Sequence, residues 1–496
     1  MAIPKVSGIE TEYGIHTLGG DGNPIAASSV LVNAYAADAD RRTGWDFEDE
    51  TPGNDARGFA REGSMPPAVE THLANTVLTN GARYYVDHAH PEYSTPECAD
   101  PLSVVVHDKA GEEVLRRSML AARRLFPEAP PAVVYKNNSD GKGNSYGCHE
   151  NYLMDRSLPF AKVVTGVVPH FVTRQIFTGA GKVGCETAAM DPSVVEFQIT
   201  QRAEFFEEVV GLETTLKRPI VNTRDEPHAD PRRFRRLHVI VGDANLSEVS
   251  TFLKVGTTAL VLAMLEDDAL PLRDLVPADP VRAMHHVSTD LTLARPLILA
   301  DGSTATALEI QWDLVTAARK FAEERGLDVL GNPDVGQAVL DRWESVLAAL
   351  ETDPASLAKQ LDWVAKHQLM LAYMDRHGCD WHDDRLAALD LQYHDLRPER
   401  SLYARLGMER MVTDEQVARA VTTPPRETRA WFRGQCLARW PEAVVTANWD
   451  SVVFDLGSDP LRRVPMMDPL KGTAEFTAAL LEASADPADL LERLSS

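Results

Sequence analysis

The chain has few cysteines and no long apolar run. Its 496 residues include five cysteines, none in a CxxC pair, at positions 98, 148, 185, 379 and 436. An odd, scattered set is typical of a reduced intracellular protein and provides no zinc site. The first residues, MAIPKVSGIE, do not resemble a signal peptide, and we find no apolar run of transmembrane length. We therefore expect a cytoplasmic protein without a membrane partner.

Positive charge is also scarce. The formal net charge of -24 argues against nonspecific nucleic-acid binding. One local exception is a group of four arginines within five residues, Arg232, Arg233, Arg235 and Arg236. A basic patch can steer an acidic partner even on an acidic protein. The alternative is an ordinary solvated loop, and the sequence does not decide between the two.

Three common catalytic signatures are missing or misleading. The sequence contains no GxxxxGK[ST] element and no GxSxG element, which excludes a P-loop and makes a serine hydrolase of the elbow type a poor fit. Residues 179–184 read GAGKVG and match GxGxxG. A dinucleotide site needs a strand before this motif and a helix after it. Here the preceding residues look helical and a polar loop follows, so we do not expect a Rossmann fold.

Residues 81–97, GARYYVDHAHPEYSTPE, are the most informative stretch. Side chains on a strand alternate between its two faces, so a strand over 83–87 places Arg83, Tyr85 and Asp87 together. Pro91 is then expected to stop the ladder and to leave Glu92 on the turn that follows. This pattern predicts a polar floor of an active site. The alternative is a solvated edge strand.

The N-terminal residues 6–16 show the same device. A strand here places Glu10 and Glu12 on one face, beside Gly8 and Gly14. Two neighbouring carboxylates repel each other and are costly to bury, whereas Mg²⁺ prefers oxygen ligands and often shares them with a phosphate. The glycines would allow a ligand to approach the backbone closely. An exposed strand face is the alternative.

Further polar side chains alternate along other predicted strands. They include His149 and Glu150 after a loop of small residues, Arg202 near residues 197–202, and Arg236 with His238. A single histidine on a strand is more often structural than a ligand. Several strands that each offer one polar face nevertheless predict an antiparallel sheet whose concave side is a metal and nucleotide site.

The remaining pattern predicts an α+β protein of two domains. Helical periodicity covers 24–37, 101–126, 248–266 and 305–373, whereas residues from about 38 to 75 show no sustained period. A structureless stretch of that length is usually functional or disordered, and we interpret it as a mobile loop insertion. We expect a catalytic domain over 1–425 and a small C-terminal domain over 426–496.

Several long strings resemble one family. They are GIETEYG at 8–14, NGARYYVDHAHPEYSTPEC at 80–98, KNNSDGKGNSYGCHENY at 136–152, GLETTLKRPIVNTRDEPHAD at 211–230, RLHVIVGDANL at 236–246 and NWDSVVFDL at 448–456. The chain is similar to the ligases and deamidases of the prokaryotic ubiquitin-like protein Pup, which resemble carboxylate–amine ligases of the glutamine synthetase type. The resemblance implies a large glutamine synthetase-like domain, with a curved antiparallel sheet packed by helices, and a small C-terminal domain.

The resemblance also implies roles for residues that match the family motifs. Asp87 matches the essential aspartate. The metal-site positions are Glu10, Glu12, Tyr85, Glu92, His149, Glu150 and His238. The positions implied for the nucleotide are Gly8, Arg83, Thr95, Arg202, Arg433 and Trp449. The positions considered for Pup or a phosphate are Arg224 and the cluster Arg232, Arg233, Arg235 and Arg236.

The implied activity is ATP- and Mg²⁺-dependent hydrolysis of an amide at the C-terminal residue of Pup. This hydrolysis includes deamidation of its glutamine and cleavage of its isopeptide bond to lysine in pupylated proteins. ATP, or ADP with phosphate, would be a cofactor that is not consumed stoichiometrically, and a link to the bacterial proteasome is inherited from the family. The short DHAHPEY turn and the 38–75 insertion resemble the deamidase branch. An ATP-consuming Pup ligase, a small-molecule glutamate–amine ligase and a noncatalytic adaptor remain alternatives.

Overall fold

The computed structural model describes residues 1–19, 22–39, 43–48, 50–59, 74–191, 193–271, 274–457 and 460–495. The strands within these ranges are β1 Ser7–Glu12, β2 Gly14–Thr17, β3 Gly44–Trp45, β4 Asn75–Val77, β5 Arg83–Asp87, β6 His90–Ser94, β7 Ala132–Tyr135, β8 Cys148–Asp155, β9 Lys182–Val183, β10 Phe197–Gln198, β11 Phe206–Gly211, β12 Arg218–Asn222, β13 Phe234–Val239, β14 Leu297–Ile298, β15 Thr304–Ala305, β16 Val444–Ala447, β17 Ser451–Phe454 and β18 Arg462–Pro465. The helices there are α1 Pro24–Asp38, α2 Pro101–Leu125, α3 Phe160–Thr173, α4 Gln175–Thr178, α5 Glu248–Glu266, α6 Pro280–Thr289, α7 Ala307–Arg325, α8 Pro333–Thr352, α9 Asp362–His377, α10 Asp384–Tyr393, α11 Leu402–Leu406, α12 Asp414–Ala420, α13 Ala430–Arg439, α14 Ala474–Ala483 and α15 Pro487–Ser495.

A six-stranded sheet organises the protein, in the order β13-β8-β1-β6-β5-β4. Each neighbouring pair in it is antiparallel. One face is covered by helices, of which α2 is the longest and begins where Asp100 accepts a hydrogen bond from the amide of Ser103. The contact is tight at Gly111, where an added Cβ would lie 2.4 Å from Cδ1 of Tyr93. The predicted α+β class is confirmed.

The helix α5 corrects one expectation from the sequence. By length and composition its 19 residues are apolar enough to cross a membrane, at a mean hydropathy of 1.4, but the whole of that window is buried inside the protein. It packs against α2, α3 and α8. Its apolar character therefore reflects a position in the core.

The hairpin of β5 and β6 corrects the expectation for Pro91. The proline does not stop the ladder but lies within β6 opposite Val86, and Glu92 lies in the strand opposite Tyr85. In an antiparallel pair, hydrogen-bonded and non-bonded positions alternate. The carbonyl of Pro91 accepts from the amide of Tyr13, on the side away from β5. Because its backbone polar groups point to that side, the missing N–H costs no bond to β5.

The predicted strand over 6–16 is divided into β1 and β2. Tyr13 separates them, after which β2 pairs with β7 outside the main sheet. The break leaves Gly8, Glu10 and Glu12 in the centre of the six-stranded sheet, between β6 and β8. The prediction of extended structure over 6–16 is thus correct, but this range contains two strands instead of one.

The C-terminal unit includes part of the predicted insertion. Its four-stranded sheet has the order β18-β17-β16-β3, and β3 comes from residues 44–45. Trp45 packs edge-on against Trp449 with 5.1 Å between ring centroids. Further along, the amide of Ala56 donates to Thr223 at 2.8 Å. The described parts of 38–75 therefore pair with other segments, which the mobile-loop prediction did not anticipate; residues 40–42, 49 and 60–73 of it lie outside the described residues.

Candidate active site

Alternate residues of neighbouring strands meet on the face of the six-stranded sheet opposite α2, here called the site face. Strand pairing places Glu10 beside His149, and Glu12 beside Glu92. On the next strand, Tyr85 lies opposite Glu92. The predicted alternation in β5 is confirmed, since Tyr84 and Val86 are buried in the core below while Arg83, Tyr85 and Asp87 are part-exposed.

Three carboxylates form the first cluster on this face. Ligand atoms of Glu12, Asp87 and Glu92 all lie within 4.8 Å of one another. The amide of Gly147 donates to Oε1 of Glu12 at 2.8 Å, and Nδ1 of His90 lies 3.3 Å from its Oε2. A set that contains only oxygen donors is the kind that Mg²⁺ prefers.

The carboxylates of this cluster repel one another. Burial raises the pKa of Glu92 well above its usual value, and the neighbouring carboxylates of Asp87 and Glu12 raise it further. Burial also acts to raise the pKa of Glu12, but a hydrogen bond from His90 and the charge of His149 outweigh it and bring that pKa to about 2. Like charges this close are costly without a cation. The residues therefore fit a divalent metal ion.

Glu10, His149 and His238 form the second cluster, again with ligand atoms within 4.8 Å. Nδ1 of His149 lies 3.6 Å from Oε2 of Glu10. Nε2 of His238 is buried and has no hydrogen-bond partner in the described residues. Its Nδ1 lies 3.1 Å from Oδ1 of Asn151. An unpartnered buried nitrogen on a residue clustered with a carboxylate fits a metal ligand, although a set with two imidazoles is less typical of Mg²⁺.

A hollow adjoins the second cluster, and Glu10 is among the residues that line it. Its lining includes Gly8, Thr95, Arg236 and Trp449. Thr95 Oγ1 accepts from the amide of Ile9 at 3.0 Å, and a Cβ on Gly8 would come within 3.0 Å of the same oxygen. Three of the predicted nucleotide positions, Gly8, Thr95 and Trp449, are thus brought to one hollow beside the carboxylates.

Arg83 and Tyr85 lie at the other side of the first cluster. The guanidinium of Arg83 stacks 3.8 Å from the ring centroid of Tyr85 and 4.1 Å from that of Trp45. Burial raises the pKa of the Tyr85 phenol well above its usual value, and the nearby charge of Glu92 adds to this effect. The phenol therefore stays protonated and hydrogen-bonds to Glu92.

Glu150 corrects the predicted metal set. It follows His149 in β8 and so points to the opposite face, where it is fully buried. Its Oε1 accepts from Nη2 of Arg174 at 2.6 Å, and its Oε2 accepts from the hydroxyl of Tyr152 at 2.7 Å. Adjacent residues of a strand cannot both face one site. Glu150 is a structural partner of Arg174.

Two predicted phosphate contacts have other partners. Arg433 is fully buried and pairs with Glu97, while its remaining donors reach the carbonyls of Gly81 and Trp449. Arg202 is also buried and donates to the carbonyl of Ile240. These bonds use the guanidinium groups within the fold, and a role of either residue as a nucleotide contact stays a prediction.

The predicted arginine cluster is divided by strand alternation. Arg236 is on the site face, with Nη1 3.8 Å from Oε1 of Glu10. Arg235 is buried and donates to the carbonyl of Leu158 at 2.7 Å. Arg232 and Arg233 are exposed and pair with Asp230 and Asp468. They do not form one continuous basic patch. Arg224 lies near Glu226 and Arg236.

Two residues of the site were missed. His90 faces Glu12, and its ring lies 4.3 Å from that of Tyr146. Asn151 donates from Nδ2 to Oε1 of Glu10 at 2.9 Å. Alternation in β8 was a sufficient signal for Asn151, which is two residues from His149. To predict His90 as a site residue required the register of the β5–β6 hairpin, because the sequence suggested that the strand ended before this position.

Proteins with closely similar sequences span the same length. A family model described as Pup-ligase protein matches residues 5–453. The chain is 51% identical over 508 residues to a protein of Acidothermus cellulolyticus named Depupylase, with 99% of both chains covered. It is 48% identical over 512 residues to the Pup deamidase/depupylase of Mycobacterium tuberculosis, again with 99% of both covered.

Solved structures of Pup ligases have the same fold. The crystal structure of the complex between Pup and its ligase PafA gives a TM-score of 0.81 at 33% identity, covering 99% of this chain and 94% of that one. The structure of PafA in complex with ADP gives a TM-score of 0.73 at 36% identity, covering 82% and 89%. These matches and the family model agree, and the chain belongs to the Pup-ligase protein family.

Proposed function

We propose that this protein is a Pup deamidase and depupylase. It would convert the C-terminal glutamine of Pup to glutamate and cleave the isopeptide bond between Pup and a substrate lysine. The observation that carries this proposal is the position of Asp87, at the end of β5 beside Glu12 and Glu92. The names of the full-length relatives support the hydrolase over the ligase.

We further propose that the site face binds ATP, or ADP with phosphate, together with Mg²⁺. Glu12 and Glu92 would hold one ion beside Asp87, and Glu10, with His149 and His238 nearby, a second. Gly8, Thr95 and Trp449 would contact the nucleotide in the adjoining cavity. When bound, the ions supply positive charge that offsets the carboxylates and binds phosphate oxygens.

Amide hydrolysis requires an attacking group, stabilisation of the oxyanion and a proton for the leaving amine. Asp87 is the residue we assign to the attack. Its carboxylate either adds to the amide carbon to form an anhydride or removes a proton from the attacking water. Arg83, fixed over Tyr85, contributes positive charge near the developing oxyanion. The stacking keeps the guanidinium in one place and so reduces the reorganisation needed during reaction.

An oxygen-isotope experiment tests for the anhydride. In ¹⁸O-labelled water, an anhydride that water opens at the Asp87 carbonyl places the label in Asp87 and passes an unlabelled oxygen of Asp87 to Pup. Label in Asp87 therefore identifies the anhydride. An anhydride opened at the Pup carbonyl and direct attack by water both label Pup alone.

The proposed partners are Pup and pupylated proteins. Pup is acidic and largely disordered, so it would fold against a surface with basic and apolar character. Arg224, Arg232 and Arg233 are the remaining candidates of the predicted arginines for that surface. We also propose a cytoplasmic location and a functional link to the bacterial proteasome.

The activity is tested with a purified Pup conjugate, ATP and Mg²⁺. Free Pup is followed by gel electrophoresis and ADP by chromatography. The hydrolase releases Pup without a matching amount of ADP. If the conjugate stays intact, and ADP forms when glutamate-ended Pup and a lysine substrate are added, the protein is a Pup ligase and the proposal is wrong.

A further inference from the structure

The residue that follows Asp87 has an unusual backbone conformation. His88 and Ala89 form the two-residue turn between β5 and β6, in which Asp87 pairs with His90. The φ angle of His88 is +49°, in the left-handed region that favours glycine or asparagine. A residue with a Cβ costs roughly 1 kcal/mol there. A histidine at this position therefore points to a contribution from its side chain.

The imidazole of His88 contacts the proposed attacking carboxylate. Its Nδ1 lies 3.0 Å from Oδ2 of Asp87. A neutral imidazole with its hydrogen on Nδ1 can donate across this distance, so the contact does not depend on a charged histidine. More than half of the His88 side chain is exposed, at 56%, against 29% for Asp87. An exposed pair adds little to stability, and its effect is expected on the orientation of the carboxylate instead.

The turn of His88 and Ala89 is anchored to helix α1. The hydroxyl of Ser28 in α1 donates to the carbonyl of Ala89 at 2.8 Å. Ser28 is fully buried, and α1 also packs on β5 through Tyr35, whose ring lies edge-on to Tyr84 at 5.8 Å. Because the backbone of the turn is anchored to the core, the imidazole is attached to a rigid frame and little freedom is lost when it bonds to Asp87.

We propose that His88 is a positioning residue for Asp87. Its Nδ1–H holds Oδ2, and this fixes the plane of the carboxylate and thus the direction of its other oxygen. His90 does not serve this purpose, since its Nδ1 faces Glu12. This inference rests on the proposed function, and it identifies the residue that orients the Asp87 carboxylate in the same site.

Two substitutions separate the backbone from the side chain. His88→Gly keeps the left-handed turn without strain and removes the donor. His88→Asn also tolerates this conformation, and its Nδ2 occupies the place of the imidazole Nδ1. The matched control is His382→Gly, because His382 is another exposed histidine beside an aspartate, with Nδ1 3.8 Å from Oδ1 of Asp380.

The readouts are kcat and KM for release of Pup from a conjugate, and Tm. We expect His88→Gly to lower kcat by roughly tenfold or more, as for the loss of one hydrogen bond to a charged group, with KM and Tm unchanged. His88→Asn should keep kcat within about threefold of the wild type, and His382→Gly should match it.

Three results overturn the inference. The first is a His88→Gly variant with the wild-type kcat. The second is a His88→Asn variant as slow as His88→Gly at an unchanged Tm. The third is a change in KM alone, which would assign His88 to Pup binding. A wild-type protein that leaves the conjugate intact is a different outcome: it overturns the proposed function, and the inference with it.

Discussion

Two glutamates on the strands that flank β1 have opposite roles, although each lies in a string typical of the family. Glu92 is buried with Glu12 and Asp87, and its pKa is raised by burial and by those carboxylates. Glu150 is buried on the other face against Arg174. A buried group surrounded by like charge weakens the metal-free fold, whereas a buried group with an opposite charge is needed to keep that charge satisfied.

Substitution of these two glutamates by glutamine should therefore separate activity from stability. Glu92→Gln should abolish Pup release and weaken binding of Mn²⁺, used as a probe for Mg²⁺, without lowering the Tm of the metal-free protein. Glu150→Gln should lower the free energy of unfolding by about 3 kcal/mol, because Arg174 loses its partner. Titration calorimetry and thermal unfolding in EDTA measure the two effects. The assignment is wrong if Glu92→Gln binds Mn²⁺ normally.

At this scale, strand alternation accounts for most of the site that could be predicted. It places Arg83, Tyr85 and Asp87 together, and Arg236 with His238. It also places Glu150 on the opposite face from His149, although the motif match included both among the metal positions. A motif identifies a stretch of chain, and only the register decides which face each side chain occupies.

Among the elements, α2 and the β5–β6 hairpin determine where the catalytic carboxylates lie. Gly111 of α2 allows the helix to approach Tyr93, which is next to Glu92 in β6. An added methyl group would overlap the ring unless the helix or the strand moved. The close approach thus couples the packing of the helix to the position of Glu92.

Gly111→Ala should lower stability by roughly 1–3 kcal/mol through overpacking and should also reduce kcat. The control is Gly44→Ala, since an added Cβ at Gly44 meets no atom within 4 Å among the described residues. Urea unfolding and Pup release are measured on both variants. If Gly111→Ala is as stable and as active as Gly44→Ala, the tight contact does not determine the site.

The local pattern predicted helices and strands better than their partners. The bounds of α2 and α5 agree closely with the predicted 101–126 and 248–266. The pairing of β3 with β16 was not predictable. It joins residues 44–45 to a strand about four hundred positions later in the chain, and only two residue pairs form the ladder. Pro91 was misjudged because its effect depends on which neighbour its backbone faces.

On the scale of the whole molecule, Glu97 joins the main sheet to the C-terminal unit. Its Oε1 accepts from Nε of Arg429 at 2.7 Å, and its Oε2 pairs with Arg433 of α13. Burial acts to raise the pKa of Glu97, but the charges of Arg433 and Arg429 outweigh it and bring that pKa to about 2. This ion pair makes Arg433 a structural contact between the two units.

The protein should lose stability in acid partly through this carboxylate. Because the pKa is lower in the folded state than the usual value near 4.3, the stabilisation is complete above that value and is lost as the pH falls towards 2. The contribution is about 3 kcal/mol. Urea unfolding in EDTA from pH 6 to pH 2.5 should give a steeper decline for the wild type than for Glu97→Gln. Parallel curves would show that Glu97 is not the group responsible.

The α+β class and the polar sheet face follow from strand patterns. The assignment of chemistry does not, because carboxylates and histidines on one face are compatible with ligases, hydrolases and nucleotide-binding adaptors alike. The long family motifs provided the assignment of chemistry. The two clusters of potential metal ligands provide its physical basis. The boundary at residue 426 was too simple, since β3 and Trp45 belong with the C-terminal sheet.

The most direct test is Pup release from a purified conjugate by the wild type and by Asp87→Asn, side by side in ATP and Mg²⁺. The account predicts release by the wild type without matching ADP formation, and at least a hundredfold slower release by a folded Asp87→Asn protein, roughly as for removal of an attacking or proton-accepting group. Full Pup release by Asp87→Asn would contradict every form of the mechanism in which Asp87 performs chemistry.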